Sequence, residues 1–276
     1  MNRMEFLKLG LGAGAFAAGC RTPLFGGRPV ALQLWSINKI IWKEDPAKTF
    51  ADLKSLGYDG VEFAGFGGRK AKEIGKLLRD AGLRGMGAHI CGEGTFDAKL
   101  KENLDFCAEA GIESVTNSWA DYDNPDDWKR FGAMMGRAAE AAEAWRLPVG
   151  VHNHCHEFKK VYNGVYAWDL IFSEASVKLR QQIDTSQVVN PGLDVVERLA
   201  KYRGRNYSVH MKENVPSEWG FFGVPPSDGG GAVDWPGVVA YLEDEPGFTW
   251  YVVECERRPD SLKPARYNLE YLRRLI

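Results

Sequence analysis

Residues 60–89 read GVEFAGFGGRKAKEIGKLLRDAGLRGMGAH, and this stretch decides the fold because it contains one complete strand–helix–strand unit. Gly60–Ala64 and Leu83–His89 are short apolar runs typical of buried strands. Between them, apolar residues recur at helical spacing over 74–81, and Gly82 follows where a left-handed helix cap is expected. The spacing predicts two parallel strands joined by a helix.

The same alternation of apolar runs and amphipathic segments continues from Pro29 to the C-terminus. The eight apolar runs are Val30–Trp35, Gly60–Ala64, Leu83–His89, Ser114–Asn117, Pro148–His152, Leu179–Asp184, Tyr207–His210 and Thr249–Glu254. Further helical patterns cover 50–56, 100–107, 128–145 and 265–276, and Gly57 and Gly111 follow two of them as Gly82 does. Eight βα units in roughly 250 residues predict one α/β domain over 29–276, a single (β/α)8 TIM barrel.

A doubly wound parallel sheet is the alternative architecture. Such sheets commonly carry a G-x-G-x-x-G motif at the first turn from strand to helix. No such motif follows the first strand here, so dinucleotide binding has no support.

The composition excludes several classes of protein. The chain has 276 residues, of which 45% are hydrophobic, and a formal net charge of −2. Enough apolar residues are present to build a core, so a disordered chain is excluded. Lys and Arg number 35 against 37 Asp and Glu. Since proteins that bind nucleic-acid phosphates concentrate positive charge, we expect no nucleic-acid partner.

The segment 1–20 is expected to precede the barrel as an export signal. A short charged opening is followed by an apolar stretch over 9–18 and then by Cys20. The apolar stretch is too short to span a bilayer as a helix, which takes about 20 residues. The segment resembles a bacterial lipoprotein signal and, with Met4 in place of the second arginine, a twin-arginine signal. An amphipathic helix is the alternative, but four glycines disfavour it.

We therefore expect an exported protein, either periplasmic or anchored to a membrane. Its only contact with the membrane would be a lipid attached to Cys20.

Polar side chains stand at or beside the C-terminal ends of seven of the eight predicted strands. They are Glu62, His89, Asn117, His152, Asp184, His210 and Glu254. All five histidines of the chain also fall at strand ends, namely His89, His152, His154, His156 and His210. Because the C-terminal strand ends of a barrel form its active-site mouth, the sequence predicts a functional site built from several strands.

Four of these residues make a candidate metal site. His152, Asp184, His210 and Glu254 offer two imidazoles and two carboxylates from four consecutive strands. Borderline divalent ions such as Mn²⁺, Co²⁺ and Zn²⁺ accept such mixed ligands, and carboxylates also suit Mg²⁺. We expect one divalent metal ion as the cofactor. At each position taken alone, an ordinary polar residue at a strand end is the alternative.

Five short motifs resemble one known family. They are Val151–Phe158 (VHNHCHEF), Ile183–Thr185, Val209–Glu213, Gly229–Trp235 and Val252–Glu254. In this order and spacing they resemble the sugar phosphate isomerase/epimerase family, also called the xylose-isomerase-like TIM barrels. Within it, they are similar to the branch with H-N-H at the fifth strand. The resemblance covers the chain after the signal segment.

The resemblance implies roles for the predicted ligands. Asp184, His210 and Glu254 match metal positions of the family, and His152 stands where many relatives have the glutamate ligand of an E-N-H motif. In the family's epimerases two glutamates are both metal ligands and proton-transfer bases. Here only Glu254 remains of that pair, so the resemblance does not imply an identical two-base epimerisation.

The chemistry of such a site requires a base. A divalent ion bound to adjacent oxygens of a ketose polarises the carbonyl and stabilises the enediolate that forms when a neighbouring C–H loses its proton. Glu254 is the first candidate for the base, with His154 or Glu157 as alternatives. Lys212 is a candidate hydrogen-bond donor to the developing oxyanion, with a solvated lysine at a strand end as the alternative.

Glu62, His89 and Asn117 line the other half of the predicted mouth, where they would hydrogen-bond sugar hydroxyls. Trp35 offers a flat apolar wall to a sugar ring, or else packs at the barrel end. The segment from Glu213 to Trp235 is long for a βα connection, which commonly has about 2–6 residues, and is a candidate lid. Its aromatic residues are Trp219, Phe221 and Phe222.

Three classes of function fit these features. The first is a metal-dependent isomerase or epimerase acting on a small-molecule sugar or keto-sugar, which we expect to be unphosphorylated in an exported protein. The second is a lyase or dehydratase that eliminates from a 3-keto-glycoside at the same site. The third is a non-catalytic carbohydrate-binding lipoprotein. DNA repair of the endonuclease IV kind shares the fold, but the charge balance and the export signal argue against it. The sequence does not decide whether the protein forms a homo-oligomer.

Overall fold

The computed structural model describes residues 27–92, 94–214, 231–255 and 261–276. The predicted export signal with Cys20 lies outside the described residues, and so do Trp219, Phe221 and Phe222 of the predicted lid. Within the described ranges, no helix is both long enough and apolar enough to span a membrane.

Eight parallel strands close into a barrel. They are β1 Val30–Gln33, β2 Gly60–Ala64, β3 Arg84–Ile90, β4 Val115–Asn117, β5 Val149–His152, β6 Arg180–Asp184, β7 Asn206–Met211 and β8 Trp250–Val253. Each strand pairs with the next one along the chain, and β8 pairs with β1. The closed order confirms the predicted (β/α)8 barrel and excludes the open doubly wound sheet.

Helices surround the barrel. The predicted helical patterns form Pro46–Leu56, Ala71–Ala81, Leu100–Ala110, Pro125–Ala141 and Lys263–Leu275, the fourth of which continues as a 3-10 turn over Ala142–Trp145. Elements that were not predicted are the helices His156–Lys159, Ala167–Ser173, Thr185–Val189, Val195–Lys201 and Trp235–Glu243, the 3-10 turn Leu34–Ile37, and a hairpin of Val161–Tyr162 with Val165–Tyr166. These elements are too short to show a clear periodic pattern.

Local sequence sets where the long helices begin and end. Asp45 and Asn124 accept backbone N–H groups at the starts of the helices Pro46–Leu56 and Pro125–Ala141, and each is followed by proline. The predicted cap glycines Gly57, Gly82 and Gly111 have left-handed φ angles of 106°, 68° and 73°. Each of these three helices therefore ends just before the next strand.

The barrel interior has an apolar floor and a polar upper layer. Ala31, Met86, Trp250 and Val252 are fully buried and form a small apolar cluster of their own, separate from the large cluster between strands and helices. Side chains alternate along a strand, so Val252 shares its face with Glu254, which directly follows β8. The same inward face is therefore apolar below and charged at the mouth.

Candidate active site

Three ionisable side chains meet at the C-terminal end of the barrel. Asp184 ends β6, His210 lies near the end of β7, and Glu254 directly follows β8. One ligand atom from each lies within 4.8 Å of the others, and all three residues are at most 5% exposed. His152, which ends β5, forms a second such group with His89 and His210. The four predicted metal ligands thus fall into two groups that share His210.

His210 is fully buried at the centre of this cluster. Its Nδ1 is 2.7 Å from Oε2 of Glu254, and its Nε2 is 2.7 Å from Oε2 of Glu62. Burial alone would lower the pKa of the imidazole, but the two carboxylates raise it to about 10. Burial likewise opposes ionisation of Glu254, but Lys212 and His210 outweigh it and lower the pKa of that carboxyl group.

Lys212 places an ammonium group between two acidic side chains. Its Nζ is 3.2 Å from Oδ2 of Asp184 and 3.7 Å from Oε2 of Glu254, and its side chain is 3% exposed. The other carboxylate oxygen of Asp184 accepts backbone N–H groups at the start of the helix Thr185–Val189. Asp184 is therefore held by the helix through one oxygen and faces the cluster with the other.

Gln182 connects the imidazoles of the cluster to its carboxylates. Its Nε2 donates to Oε1 of Glu62 at 2.7 Å, and its Oε1 is 2.6 Å from Nε2 of His89 and 3.1 Å from Nδ1 of His152. Because an ionised carboxylate only accepts hydrogen bonds, the amide nitrogen must face Glu62 and the amide oxygen must face the histidines. The network therefore assigns protons to Nε2 of His89 and Nδ1 of His152.

This assignment leaves Nε2 of His152 with its lone pair. Burial, followed by the positive charge of nearby residues, lowers the pKa of His152 well below its usual value. The imidazole is therefore neutral, which is the state that binds a metal.

Glu62, a predicted substrate ligand, lies inside the barrel with no exposed surface. Its carboxylate accepts hydrogen bonds from Gln33, Gln182 and His210, each at 2.7 Å. Burial would raise its pKa, but the charges of His89 and His210 lower it, so the group is ionised. Glu62 therefore orients His210, and its predicted contact with a sugar hydroxyl stays a prediction.

Asn117, also a predicted substrate ligand, supports the backbone instead. It is 6% exposed, and its Oδ1 accepts the backbone N–H of Trp119 at 3.0 Å. Gln33 acts in the same way at the end of β1, where its Oε1 accepts the backbone N–H of Trp35 at 3.1 Å. At two strand ends, therefore, a polar side chain fixes a tryptophan two residues further along. Asn117 therefore supports the backbone at Trp119, and its predicted contact with a sugar hydroxyl stays a prediction.

A cavity of about 700 Å³ opens at the barrel mouth. The predicted site residues that line it are Trp35, His89, His152, His154 and Glu254. His152 and Glu254 belong to the buried cluster, whereas Trp35 and Trp119, which also lines the cavity, are about half exposed. The cavity therefore leads from the cluster to the surface, as a substrate site requires.

His154 lines the cavity beyond β5, and its buried Nδ1 has no hydrogen-bond partner among the residues that the structure describes. Burial lowers the pKa of this imidazole to about 4, so the ring is neutral. Its backbone N–H donates to Oε2 of Glu157 at 2.8 Å. Glu157 is itself buried, and burial raises its pKa. The carboxyl group of Glu157 therefore holds the loop after β5, whereas His154 faces the cavity.

Residues 50–275 match the family described as xylose isomerase-like TIM barrel. The chain belongs to this family. No curated protein sequence matches it.

Solved structures of similar fold include proteins with sugar isomerase or epimerase names. A sugar phosphate isomerase/epimerase from Parabacteroides distasonis is 21% identical, with a TM-score of 0.76 over 92% of this chain and 98% of that chain. A D-allulose 3-epimerase from Methylomonas sp. in complex with D-allulose is 17% identical, with a TM-score of 0.67 over 91% and 99%. A D-psicose 3-epimerase from Clostridium cellulolyticum is 14% identical, with a TM-score of 0.62 over 88% and 89%. At these identities the likeness is one of fold.

The donor set of this xylose isomerase-like barrel suits a divalent cation. Asp184, His210 and Glu254 combine two carboxylates with an imidazole, and His152 adds the lone pair of Nε2. Buried carboxylates that lie close together repel each other unless positive charge is placed between them. The ammonium group of Lys212 already lies at such a position. The donor atoms of Asp184, His210 and Glu254 are of the kinds that divalent ions accept, and these three residues could hold one ion.

Three residues of this xylose isomerase-like site were not singled out from the sequence, namely Gln33, Gln182 and Trp119. Gln182 precedes Asp184 by two residues, so alternation along β6 already places both side chains on one face. Alternation along β1 likewise places the side chain of Gln33 on the same face as Ala31, which points into the barrel. Trp119 lies in the loop after β4, where no periodicity exists to reveal it.

Proposed function

We propose that the protein is a divalent-metal-dependent sugar isomerase or epimerase that removes a proton from a carbon next to a carbonyl group. The observation that carries this proposal is the buried group of Asp184, His210 and Glu254 at one end of the cavity. The family and the sugar isomerases and epimerases among the fold relatives support a small-molecule sugar as the substrate.

These three residues, together with His152, would hold one divalent ion, whether Mn²⁺, Co²⁺, Zn²⁺ or Mg²⁺. Nε2 of His210 faces Glu62, whereas Nδ1 faces Glu254, which is itself a proposed ligand. Nδ1 is therefore the nitrogen that would bind the ion, after it gives up its proton. Gln182 occupies Nδ1 of His152 and leaves Nε2. When bound, the ion supplies Lewis-acid polarisation of the substrate carbonyl.

Two groups of the chain are candidates for the base. Glu254 is the first, because its carboxylate lines the cavity beside the proposed ligands. His154 is the second, because it lines the same cavity and has a buried ring nitrogen that lacks a partner among the described residues. Lys212 lies beside Glu254, and its positive charge would stabilise negative charge on the substrate as the proton leaves.

Two further residues would bind the substrate. His89 donates through Nε2 to Gln182 and lines the cavity, where its ring can hydrogen-bond a sugar hydroxyl. Trp35 lines the cavity with a half-exposed indole that offers an apolar face to a sugar ring.

Hydrogen exchange at the substrate tests this proposal. The purified protein is incubated in D₂O with Mn²⁺ or Co²⁺ and a panel of ketoses and keto-glycosides, and deuterium next to the carbonyl is followed by NMR. We expect exchange that requires the metal and that is lost in Asp184→Asn. A panel without exchange or product would refute the enzyme and leave a non-catalytic carbohydrate-binding protein.

A lyase at the same site is the second candidate, because the cavity of about 700 Å³ leaves room for a substituent beyond one sugar ring. Elimination from a 3-keto-glycoside begins with the same proton abstraction. The C–O bond to the substituent on the β carbon then breaks, a double bond forms, and the departing oxygen takes up a proton. Product analysis separates the two: an epimerase returns an intact glycoside, whereas a lyase releases the substituent.

We propose that this reaction takes place after export, with the protein periplasmic or held to a membrane by a lipid on Cys20. The support is the sequence of segment 1–20, with its apolar stretch and small residues before the cysteine.

A further inference from the structure

The cavity at the barrel mouth has two unlike ends. His152 and Glu254 line the end that meets the buried cluster. Towards the surface, the wall includes three aromatic rings, those of Trp35, Phe66 and Trp119. A ligand that fills the cavity must therefore combine a polar part with a part that has an apolar face.

Two of these rings are exposed to an extent uncommon for tryptophan in this protein. Trp35 and Trp119 are 51% and 52% exposed, whereas Trp128, Trp168 and Trp250 are at most 1% exposed. An indole left in water forgoes the free energy that burial of so large an apolar surface gains. Exposed aromatic surface inside a cavity is typical of a ligand contact.

The backbone of both tryptophans is held at the cavity wall. Gln33 and Asn117, at the ends of β1 and β4, accept the backbone N–H groups of the two tryptophans. The Trp119 ring also contacts His154 and His156, at centroid distances of 4.8 and 4.9 Å. A wall that is ordered before the ligand arrives loses little conformational entropy on binding.

The cavity wall favours an uncharged ligand. Among the described residues that line it there is no Lys or Arg, and Glu254 is the single acid. Asn103 and Ser118, which also line it, are neutral hydrogen-bonding residues. Among these described residues, a phosphate group would find no cationic partner.

We infer that the substrate is a neutral glycoside with two rings. The inference rests on the proposed function, which places the reacting sugar ring beside Glu254. The second ring presents an apolar face to Trp35 and Trp119 and is either a second sugar or an aryl group. The cavity of about 700 Å³ lies within the range of roughly 300–1,000 Å³ for pockets that bury drug-sized ligands, and it exceeds what one monosaccharide needs.

Calorimetric titration of the Mn²⁺-supplemented protein tests the inference. The ligands are methyl β-D-glucopyranoside, phenyl β-D-glucopyranoside and cellobiose, together with the corresponding galactosides. We expect a two-ring ligand to bind roughly tenfold more tightly than the methyl glycoside of the same sugar, because only the second ring reaches the aromatic wall. A gain confined to the phenyl glycosides or to the disaccharides identifies the second ring. Equal affinities, or no binding by any ligand, overturn the inference.

Single-residue variants locate the gain in affinity. Trp35→Ala and Trp119→Ala should each remove most of the roughly tenfold preference for a two-ring ligand over the methyl glycoside of the same sugar. Trp35→Ala serves as the cleaner variant, because removal of Trp119 also takes away a contact of His154. A preference that survives in both variants overturns the inference.

Trp145→Phe is the matched control. Trp145 is half-buried before β5, at the opposite end of the barrel, and its Nε1 donates to Oδ1 of Asp105 at 2.9 Å. This variant should bind every ligand as the parent protein does.

The outcomes separate the inference from the proposed function. Deuterium exchange on substrates without any preference for two-ring ligands keeps the proposed function and overturns the inference. A preference that depends on the two tryptophans, without exchange on any keto-sugar, keeps the binding inference and refutes the enzyme.

Discussion

The floor and the mouth of the barrel interior are made by the same strands but from opposite kinds of residue. On β8, Trp250 and Val252 pack in the apolar floor, and two residues further Glu254 lies in the charged cluster. Burial of apolar surface stabilises a fold, whereas burial of ionised groups costs free energy that partners must offset. The floor should therefore determine stability, and the mouth should determine function.

Removal of one charge from the mouth gives the largest expected effect. Asp184→Asn should abolish metal retention and reduce turnover by roughly 10²–10³-fold or more, because the site loses an anionic ligand. Asparagine still caps the helix Thr185–Val189, so the unfolding free energy should change by no more than about 1 kcal/mol. Elemental analysis, initial rates and thermal unfolding measure the three quantities.

Asp194→Asn is the matched control for this substitution. Asp194 caps the helix Val195–Lys201 through a hydrogen bond to the backbone N–H of Glu197 at 2.8 Å, and it is exposed. It should change neither metal content nor rate. Normal metal content in Asp184→Asn would contradict the proposed site.

A truncated side chain in the floor should lower stability rather than remove the metal. Trp250 is fully buried, and Gly60 makes room for its ring, since a Cβ at Gly60 would lie 2.9 Å from it. Trp250→Ala should lower the unfolding free energy by about 3–5 kcal/mol, as large-to-small core substitutions do. Denaturant titration measures the loss.

Trp35→Ala is the comparison for this truncation. Because Trp35 is half exposed at the mouth, its removal should cost no more than about 1 kcal/mol of unfolding free energy. Similar losses of unfolding free energy in Trp250→Ala and Trp35→Ala would contradict the idea that the floor determines stability and the mouth does not.

Two neighbouring glutamines on β6 allow the effects on metal binding and on stability to be compared within one strand. Gln182 faces the cluster, where it holds His152 and Glu62. Gln182→Ala should weaken metal binding by roughly 10–100-fold, the usual effect of losing a partner of a metal ligand. Competition with a chelator measures the affinity.

Gln181 supplies the control, because it is equally buried but bonds to Trp168 and Asn206 on the opposite face of β6. Gln181→Ala should lower the unfolding free energy by about 1–3 kcal/mol, since it leaves buried polar groups without partners, and should not alter metal affinity. Equal losses of affinity in the two variants would rule out a specific role for Gln182.

Most of the fold could be predicted from the sequence because each barrel strand is a short apolar run followed by an amphipathic helix. The missed hairpin had a readable signal in Asn163-Gly164, whose φ angles of 51° and 82° are those of a tight hairpin turn. The missed helices had none, because a pattern needs more turns than a helix such as Ala167–Ser173 contains.

The sequence predicts which side chains of the candidate site face the barrel interior, but not how deeply each one is buried. Alternation along strands shows that Glu62 and Glu254 both face inward. Glu62, however, lies in the middle of β2 and Glu254 beyond the end of β8, so the first reaches buried partners and the second reaches the cavity. The function of Asn117 was hidden for another reason, since a hydrogen bond to the backbone of Trp119 leaves no periodic pattern.

Cys20→Ser should have the smallest effect on the stability of the barrel and on its activity. If residues 29–276 contain all parts of the barrel and its site, loss of the proposed lipid should change neither unfolding temperature nor turnover. It should change only the partition between membrane and soluble fractions of cells that express the full chain, because the lipid contributes about 0.8 kcal/mol of membrane affinity for each buried CH₂ group. Cys107→Ser, at a buried cysteine of the barrel, is the control that should leave the partition unchanged. A Cys20→Ser protein that still sediments with membranes would disprove the lipid anchor while leaving the proposed metal site untouched.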